Sequence, residues 1–421
     1  MMLSVPRSRL LGVACGAAAL AGILVSCTAP GSTPGRGGAQ PVSQQVGPAQ
    51  LTVAPSDNSQ GVSLDAPVVV SVTNGRLTSV TLSEAGSNGP LQGAMSPGQD
   101  SWRYTGGLDS DAHYTVVASA AGTNGDTTTT QASFGTLTAS DKLLTSYTPD
   151  DGTTVGVGET INLKFNTPIP DSSKAALLQR IQVSSNPGVL GAWHWLDDYS
   201  VHFRTKDFWP AGTQVSVVAN LKGFDAGNGV WGLADWSSSF TIGPKHVSYI
   251  DANTHYMQVY DGDQQIYNWP VSLGKPGFPT LDGIVIVLYH AYDVKMQSCA
   301  TFGGAACIPG SENYYDDDVY WDTAISTNGF FIHAAPWSVG SQGYANVSHG
   351  CVNLSTDRAT TYYNWSRPGD PVIISNTGNL ADYSNGEGDW TQDFSQYSNT
   401  AGVGNIWTGA PSNSGPGGRV F

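Results

Sequence analysis

Short apolar alternations broken by turn residues run through most of this chain. Pro67–Thr73 (PVVVSVT) and Leu77–Leu82 (LTSVTL) flank Asn74-Gly75. Two strand-length runs around Asn-Gly predict a hairpin. Further strands are expected at Ser101–Tyr104, Tyr114–Ala118 and Thr128–Phe134, and residues 49–139 carry no convincing helical pattern. A similar pattern returns roughly a hundred residues later, the size of one β-sandwich. Tyr114–Ala118 (YTVVA) is echoed by Val215–Ala219 (VSVVA), and Ala132–Phe134 (ASF) by Ser238–Phe240 (SSF). The pattern therefore predicts two tandem sandwiches, 49–139 and 140–244. Trp193, Trp195 and Trp209 in the second can stack sugars or fill its core, and large aromatics usually do the latter.

Residues 245–378 read differently. Met257–Tyr260, Asp261-Gly262-Asp263 and Gln265–Trp269 predict a hairpin. Gly283–Tyr289 (GIVIVLY) predicts a core strand, and 296–328 an ordered loop rich in Tyr and Asp. Phe330-Phe331-Ile332 leads as a strand into His333. Thr356–Trp365 predicts a helix with Ser355 as N-cap, and Val372–Ser375 a last strand. The tail, 379–421, is polar and glycine-rich but keeps Trp390, Phe394 and Trp407. Its first half is expected to pack on the body, and its last dozen residues to be disordered.

The first 26 residues change the setting. Arg7 and Arg9 precede an apolar run, Leu10–Ser26, as in an export signal. The run ends in Leu24-Val25-Ser26-Cys27, which resembles the bacterial lipobox; the alternative is an ordinary signal with a chance cysteine. The resemblance implies a lipid on Cys27, followed by a flexible tether over 27–48. The protein is then expected outside the cytoplasm, anchored to the outer face of the membrane. A formal charge of −15 with nothing basic clustered argues against nucleic acid. Cys299 and Cys307 can pair as a disulfide in an oxidising compartment, which leaves Cys351 as the odd thiol. The run Asp316–Asp318 reads as a solvated loop rather than a calcium site, since consecutive carboxylates converge poorly. No metal and no cofactor are expected.

Cys351 lies in Ser348-His349-Gly350-Cys351-Val352-Asn353. Gly350 lets the backbone bend, and successive N–H groups at such a turn can face one oxyanion. Fourteen residues separate His333 from that motif. This spacing resembles the signature of the L,D-transpeptidases, in the subgroup from mycobacteria and related actinobacteria. Gly274-Lys275-Pro276 through Gly283 resembles the family's turn before a core strand, and the sandwiches and aromatic tail also match. The resemblance implies a mainly β chain: two immunoglobulin-like sandwiches, then a β-rich catalytic domain with a short helix after the cysteine.

It further implies Cys351 as nucleophile and His333 as its base. The N–H groups of Gly350 and Cys351 would receive the oxyanion. His349 would shape the pocket or be merely structural, and Asn353 would orient the site or make an Asx turn. Tyr315, or Tyr314 beside it, Ser348 and Trp337 would line the substrate pocket, with Ser348 supporting the turn. Ala334 stands where the subgroup often has serine; alanine serves as well if that position acts through its carbonyl. The implied reaction joins peptidoglycan tetrapeptide stems containing diaminopimelate by 3→3 cross-links, with carbapenems as covalent inhibitors. A carboxypeptidase and a non-catalytic wall-binding lipoprotein are the alternatives. A monomer is expected.

Overall fold

The computed structural model describes residues 47–410, apart from Glu387 and Thr400. The export signal, Cys27, almost all of the tether and the final stretch 411–421 lie outside the described residues.

The first sandwich packs two four-stranded sheets face to face. The hairpin expected at Asn74-Gly75 is not formed. Val68–Thr73 pairs with Gln50–Ala54 and Ser101–Tyr104, whereas Gly75–Glu84 pairs with His113–Gly122 in the other sheet. Asn74, at φ 56°, carries the chain from one layer to the other. Each strand has one apolar face, Val68, Val70 and Val72 on one and Leu77 and Leu82 on the other. Stacking the faces buries both sets, which side-by-side pairing alone would not do.

The second sandwich repeats the plan. The echoed segments occupy equivalent places: Tyr114 pairs with Phe134 in the first domain, and Val215 with Phe240 in the second. Trp193 and Trp209 are buried and Trp195 packs against the same core. A helix at Asp171–Gln179 was not expected, because it buries only Leu177 and Leu178 and opens on polar residues.

The third domain holds a six-stranded and a four-stranded sheet. The expected hairpin is Tyr256–Asp261 paired with Gln264–Pro270. The expected strand Gly283–Tyr289 is two: Leu281–Ile286 lies in the larger sheet, while Tyr289–Gln297 begins the smaller. Buried Val287 and partly buried Leu288 carry the chain between the sheets, so one apolar run serves both. The expected loop 296–328 contains a nine-residue strand, Asp316–Ala324. Lys295 on the neighbouring strand reaches Asp316 at 2.8 Å and Asp318 at 3.4 Å, which lets the acidic run enter a ladder.

The tail straps two domains together. Asn379–Leu380 extends the larger sheet of the third domain, and Asn405–Trp407 pairs with Leu190–Trp195 of the second sandwich. Between them, Trp390 donates to the Gly158 carbonyl at 2.8 Å. The Arg204 guanidinium lies over Trp390, Phe394 and Tyr397 and donates to the Gln392 carbonyl. Gly156 and Gly158 also donate to the carbonyls of Pro368 and Gly369, so the sandwich abuts the third domain directly.

Candidate active site

The smaller sheet runs Tyr289–Gln297, Asp316–Ala324, Phe331–Ala334, Val352–Leu354. Its last two strands are parallel. A parallel pair needs a crossover of a dozen residues or more. That is the physical content of the gap between His333 and the Ser348–Asn353 motif: residues 335–351 leave one strand and return to lie beside it. The register sets His333 opposite Asn353. Side chains two apart share a face, so Cys351 and Asn353 project to the side of His333. All three line one cavity of about 690 Å³.

The turn is held from within. Ser348 Oγ donates to the Cys351 carbonyl at 2.6 Å and accepts from the Gly350 N–H at 3.1 Å. Ser348 therefore supports the turn with its hydroxyl while also lining the cavity. The Gly350 N–H differs from expectation: it is committed to Ser348 rather than left open. The Cys351 N–H has no such partner among the described residues. Gly350 sits at φ +130°, and a Cβ there would meet the Phe330 ring at 2.9 Å, so glycine alone fits.

Cys351 is partly exposed, and its thiol lies 3.6 Å from the Gly329 carbonyl. Burial pushes the thiol up to about 12; a hydrogen bond from the Phe331 N–H opposes this, and the Asp322 carboxylate adds to it. His333 is pushed down to about 4 by burial, against a hydrogen bond to the Ala334 carbonyl. Its Nδ1 stands 3.0 Å from that carbonyl oxygen. A carbonyl can only accept, so the proton sits on Nδ1 and Nε2 keeps its lone pair. Position 334 thus acts on the ring through its backbone, and the alanine methyl takes no part. Both groups rest uncharged: a neutral thiol beside a neutral imidazole.

The other expected residues gather at the same cavity. Tyr315, not Tyr314, lines it, with its ring 4.9 Å from that of His349. Burial raises the Tyr315 hydroxyl, which a hydrogen bond to Thr301 opposes. His349 is flanked on its other side by Phe278 at 5.0 Å, and burial and Lys275 lower it. Trp337 is 60% exposed at the rim, 6.2 Å from the His333 ring. Asn353 is buried and donates to Ser338 Oγ at 3.1 Å; it makes this cross-loop bond rather than an Asx turn. Cys299 and Cys307 are disulfide-bonded in the segment that roofs the cavity with Ala300 and Thr301. The helix after the cysteine spans Thr356–Trp365 as expected, though the Ser355 side chain makes no capping bond.

Over most of its length the sequence is similar to known proteins. It is 37% identical to L,D-transpeptidase 2 of Mycobacterium tuberculosis (strain CDC 1551 / Oshkosh) over 83% of this chain and 84% of that one. This chain belongs to the L,D-transpeptidase family. The L,D-transpeptidase catalytic domain matches residues 245–374, and the bacterial Ig domain matches 59–225, across both sandwiches. L,D-transpeptidase 5 of the same species (strain ATCC 25618 / H37Rv) is 33% identical over 82% of this chain and 75% of its own. Among solved structures, an L,D-transpeptidase in complex with imipenem is 29% identical, with TM-score 0.48, covering 56% of this chain and 99% of its own. In this transpeptidase, sequence reasoning missed two charged groups around the site. Lys275 reaches Asn313 at 3.1 Å and its charge lowers His349, and the Asp322 charge raises the Cys351 thiol. Lys275 stood within a quoted motif, but nothing in the sequence aimed it at His349.

Proposed function

We propose that this chain forms 3→3 cross-links in peptidoglycan through a thioester on Cys351, releasing D-alanine from a tetrapeptide donor stem. The observation that carries this reading is one cavity holding Cys351 and a His333 whose free lone pair is fixed on Nε2. A neutral thiol is a poor nucleophile alone, so the base takes its proton as attack proceeds. His333 accepts that proton on Nε2, Cys351 Sγ bonds to the donor carbonyl carbon, and the C–N bond to D-alanine breaks. The proton then passes from His333 to the leaving amine. The Cys351 N–H faces the oxyanion, a donor typically worth about 3 kcal/mol in such sites. The side-chain amine of a diaminopimelate on a second stem attacks the thioester, and His333 removes its proton in turn.

The same thiol is acylated by carbapenems when it opens their strained lactam. The chain is exported, carries its lipid on Cys27 at the outer face of the cytoplasmic membrane, and works as a monomer. The sandwiches hold the catalytic domain away from the membrane.

The test is intact-protein mass spectrometry on a soluble form beginning near residue 49, beside Cys351→Ala. Incubation with a carbapenem, and separately with a disaccharide-tetrapeptide, is expected to give adducts only where Cys351 is present, with a cross-linked dimer as product. A trimmed tripeptide without dimer means hydrolysis, and no adduct from either compound removes the catalytic reading.

A further inference from the structure

Asp322 is fully buried, at 0% exposure, and neither carboxylate oxygen has a hydrogen-bond partner. Its place follows from a bulge. Tyr320 pairs with Ala334 and Thr323 with Ile332, so two residues, Trp321 and Asp322, stand opposite the single residue His333. A bulge of this kind re-aims a side chain. Trp321 adopts φ 61° and turns its ring onto Tyr363 of the helix behind the sheet. Asp322 then projects to the opposite face, the one that carries His333 and Cys351. There its carboxylate acts on the Cys351 thiol through space. Same-face neighbours on adjacent strands have Cβ atoms about 5 Å apart, and each further strand adds about 4.8 Å. Asp322 is one strand from His333 and two from Cys351.

We propose that Asp322 is a positioning residue for the transfer, acting through His333: its carboxylate offsets the imidazolium that forms when Cys351 gives up its proton. This rests on the transpeptidase reading. By register His333 is one strand from Asp322 and Cys351 two, so the carboxylate favours the protonated base more than it opposes the developing charge on sulfur. On the strand to one side Asp322 pairs with Ala291, with His290 beside that pair and Asp293 two residues along; on the other side stand His333 and then Cys351. Burial, reinforced by Asp293, pushes the carboxyl up to about 7, so its charge is present above neutral pH and lost below.

The experiment compares wild type, Asp322→Asn and Asp322→Ala in two reactions across pH 5 to 9. Alkylation of Cys351 by iodoacetamide needs only the thiol. Acylation by imipenem also needs the proton relay. Removing the carboxylate is expected to leave alkylation equal or faster and to slow acylation roughly tenfold, within the range of general-base effects. The rise of acylation through about pH 7 should vanish in both variants while persisting in wild type. Acylation within twofold of wild type, or both reactions slowed together, overturns the inference. Wild type itself reports if neither variant folds: an acylation profile with no rise near pH 7 overturns it too. If wild type alkylates but is never acylated, the transpeptidase reading has failed instead.

Discussion

Two clusters of buried ionisable groups are built on opposite terms. At the junction of the strap with the second sandwich, Arg204 is only 3% exposed yet lies over three aromatic rings and donates to a carbonyl. Beside it, Asp389 takes His202 at 2.8 Å and the Tyr397 hydroxyl at 3.1 Å. On the floor of the active site, Asp322 has no hydrogen bond and His333 holds one, to its neighbour's carbonyl. A buried charge with partners fixes a geometry, whereas one without partners costs stability and stays reactive. The junction is arranged for adhesion, and the floor carries the unpaired groups that the proposed proton transfer would use.

The largest effect should come from breaking the junction. Arg204→Ala removes the cation and leaves the Gln392 carbonyl unpaired behind it. The expected loss is about 3 to 5 kcal/mol: roughly 1.5 to 3 for a hydrogen bond from a charged group and about 2 for a desolvated cation over aromatic rings. Urea denaturation should show it, and limited proteolysis should release the strap first, while iodoacetamide still labels Cys351 at the wild-type rate. A loss below about 1 kcal/mol would mean the rings alone hold the strap.

The floor should answer with the opposite sign. Folded Asp322 titrates near 7 instead of 3.8, so between those values the folded chain holds a proton that the unfolded chain has released. Stability therefore falls as pH rises through that window. Asp322→Asn removes the cost and should stabilise the protein by about 3 kcal/mol above pH 7, discounted for relaxation around the site. Thermal unfolding at pH 5 and pH 8 checks it; an unchanged difference between those pH values sinks the comparison.

His333 runs the other way within the same cavity. Its folded value near 4 lies below the ordinary 6.5, so between them the unfolded chain binds the extra proton. Stability rises with pH across that window and is lost as pH falls through it. His333→Gln should flatten this rise, removing about 2 kcal/mol of pH dependence between pH 4 and 6.5. Glu159, raised to about 8 by burial near the junction, contributes equally to each protein, so differences between variants carry the answer.

How far these features were legible follows from the distances along the chain. The His333–Cys351 relation was readable because the spacing of His333 and Ser348–Asn353 resembles the family's signature, and the helix after it because its start and period are local. The strand ladder that makes Asp322 a neighbour of His333 was not readable. It depends on a bulge at Trp321, and one residue either way would send Asp322 to the helix face. The hairpin at Asn74-Gly75 failed for a related reason: local turn chemistry cannot say whether the chain continues in its own sheet or changes layer. Arg204 and Gln392 meet across 188 residues, beyond any local pattern.

The smallest test separates the strap's two ends. Asn405–Trp407 is the outermost strand of the second sandwich's larger sheet, where it pairs only with Leu190–Trp195. Trp407 is 60% exposed, whereas Ile406 packs against the sandwich core. If adhesion resides in the Arg204 cluster and Ile406, Trp407→Ala should cost under about 1 kcal/mol, since little apolar area leaves the interior. Faster amide exchange should be confined to Leu190–Ala192 and the strap's own end strand, with Trp390 and Tyr397 still protected. Exchange that spreads to those two residues would show the strap closing from its end strand inward, with the buried cation following rather than leading.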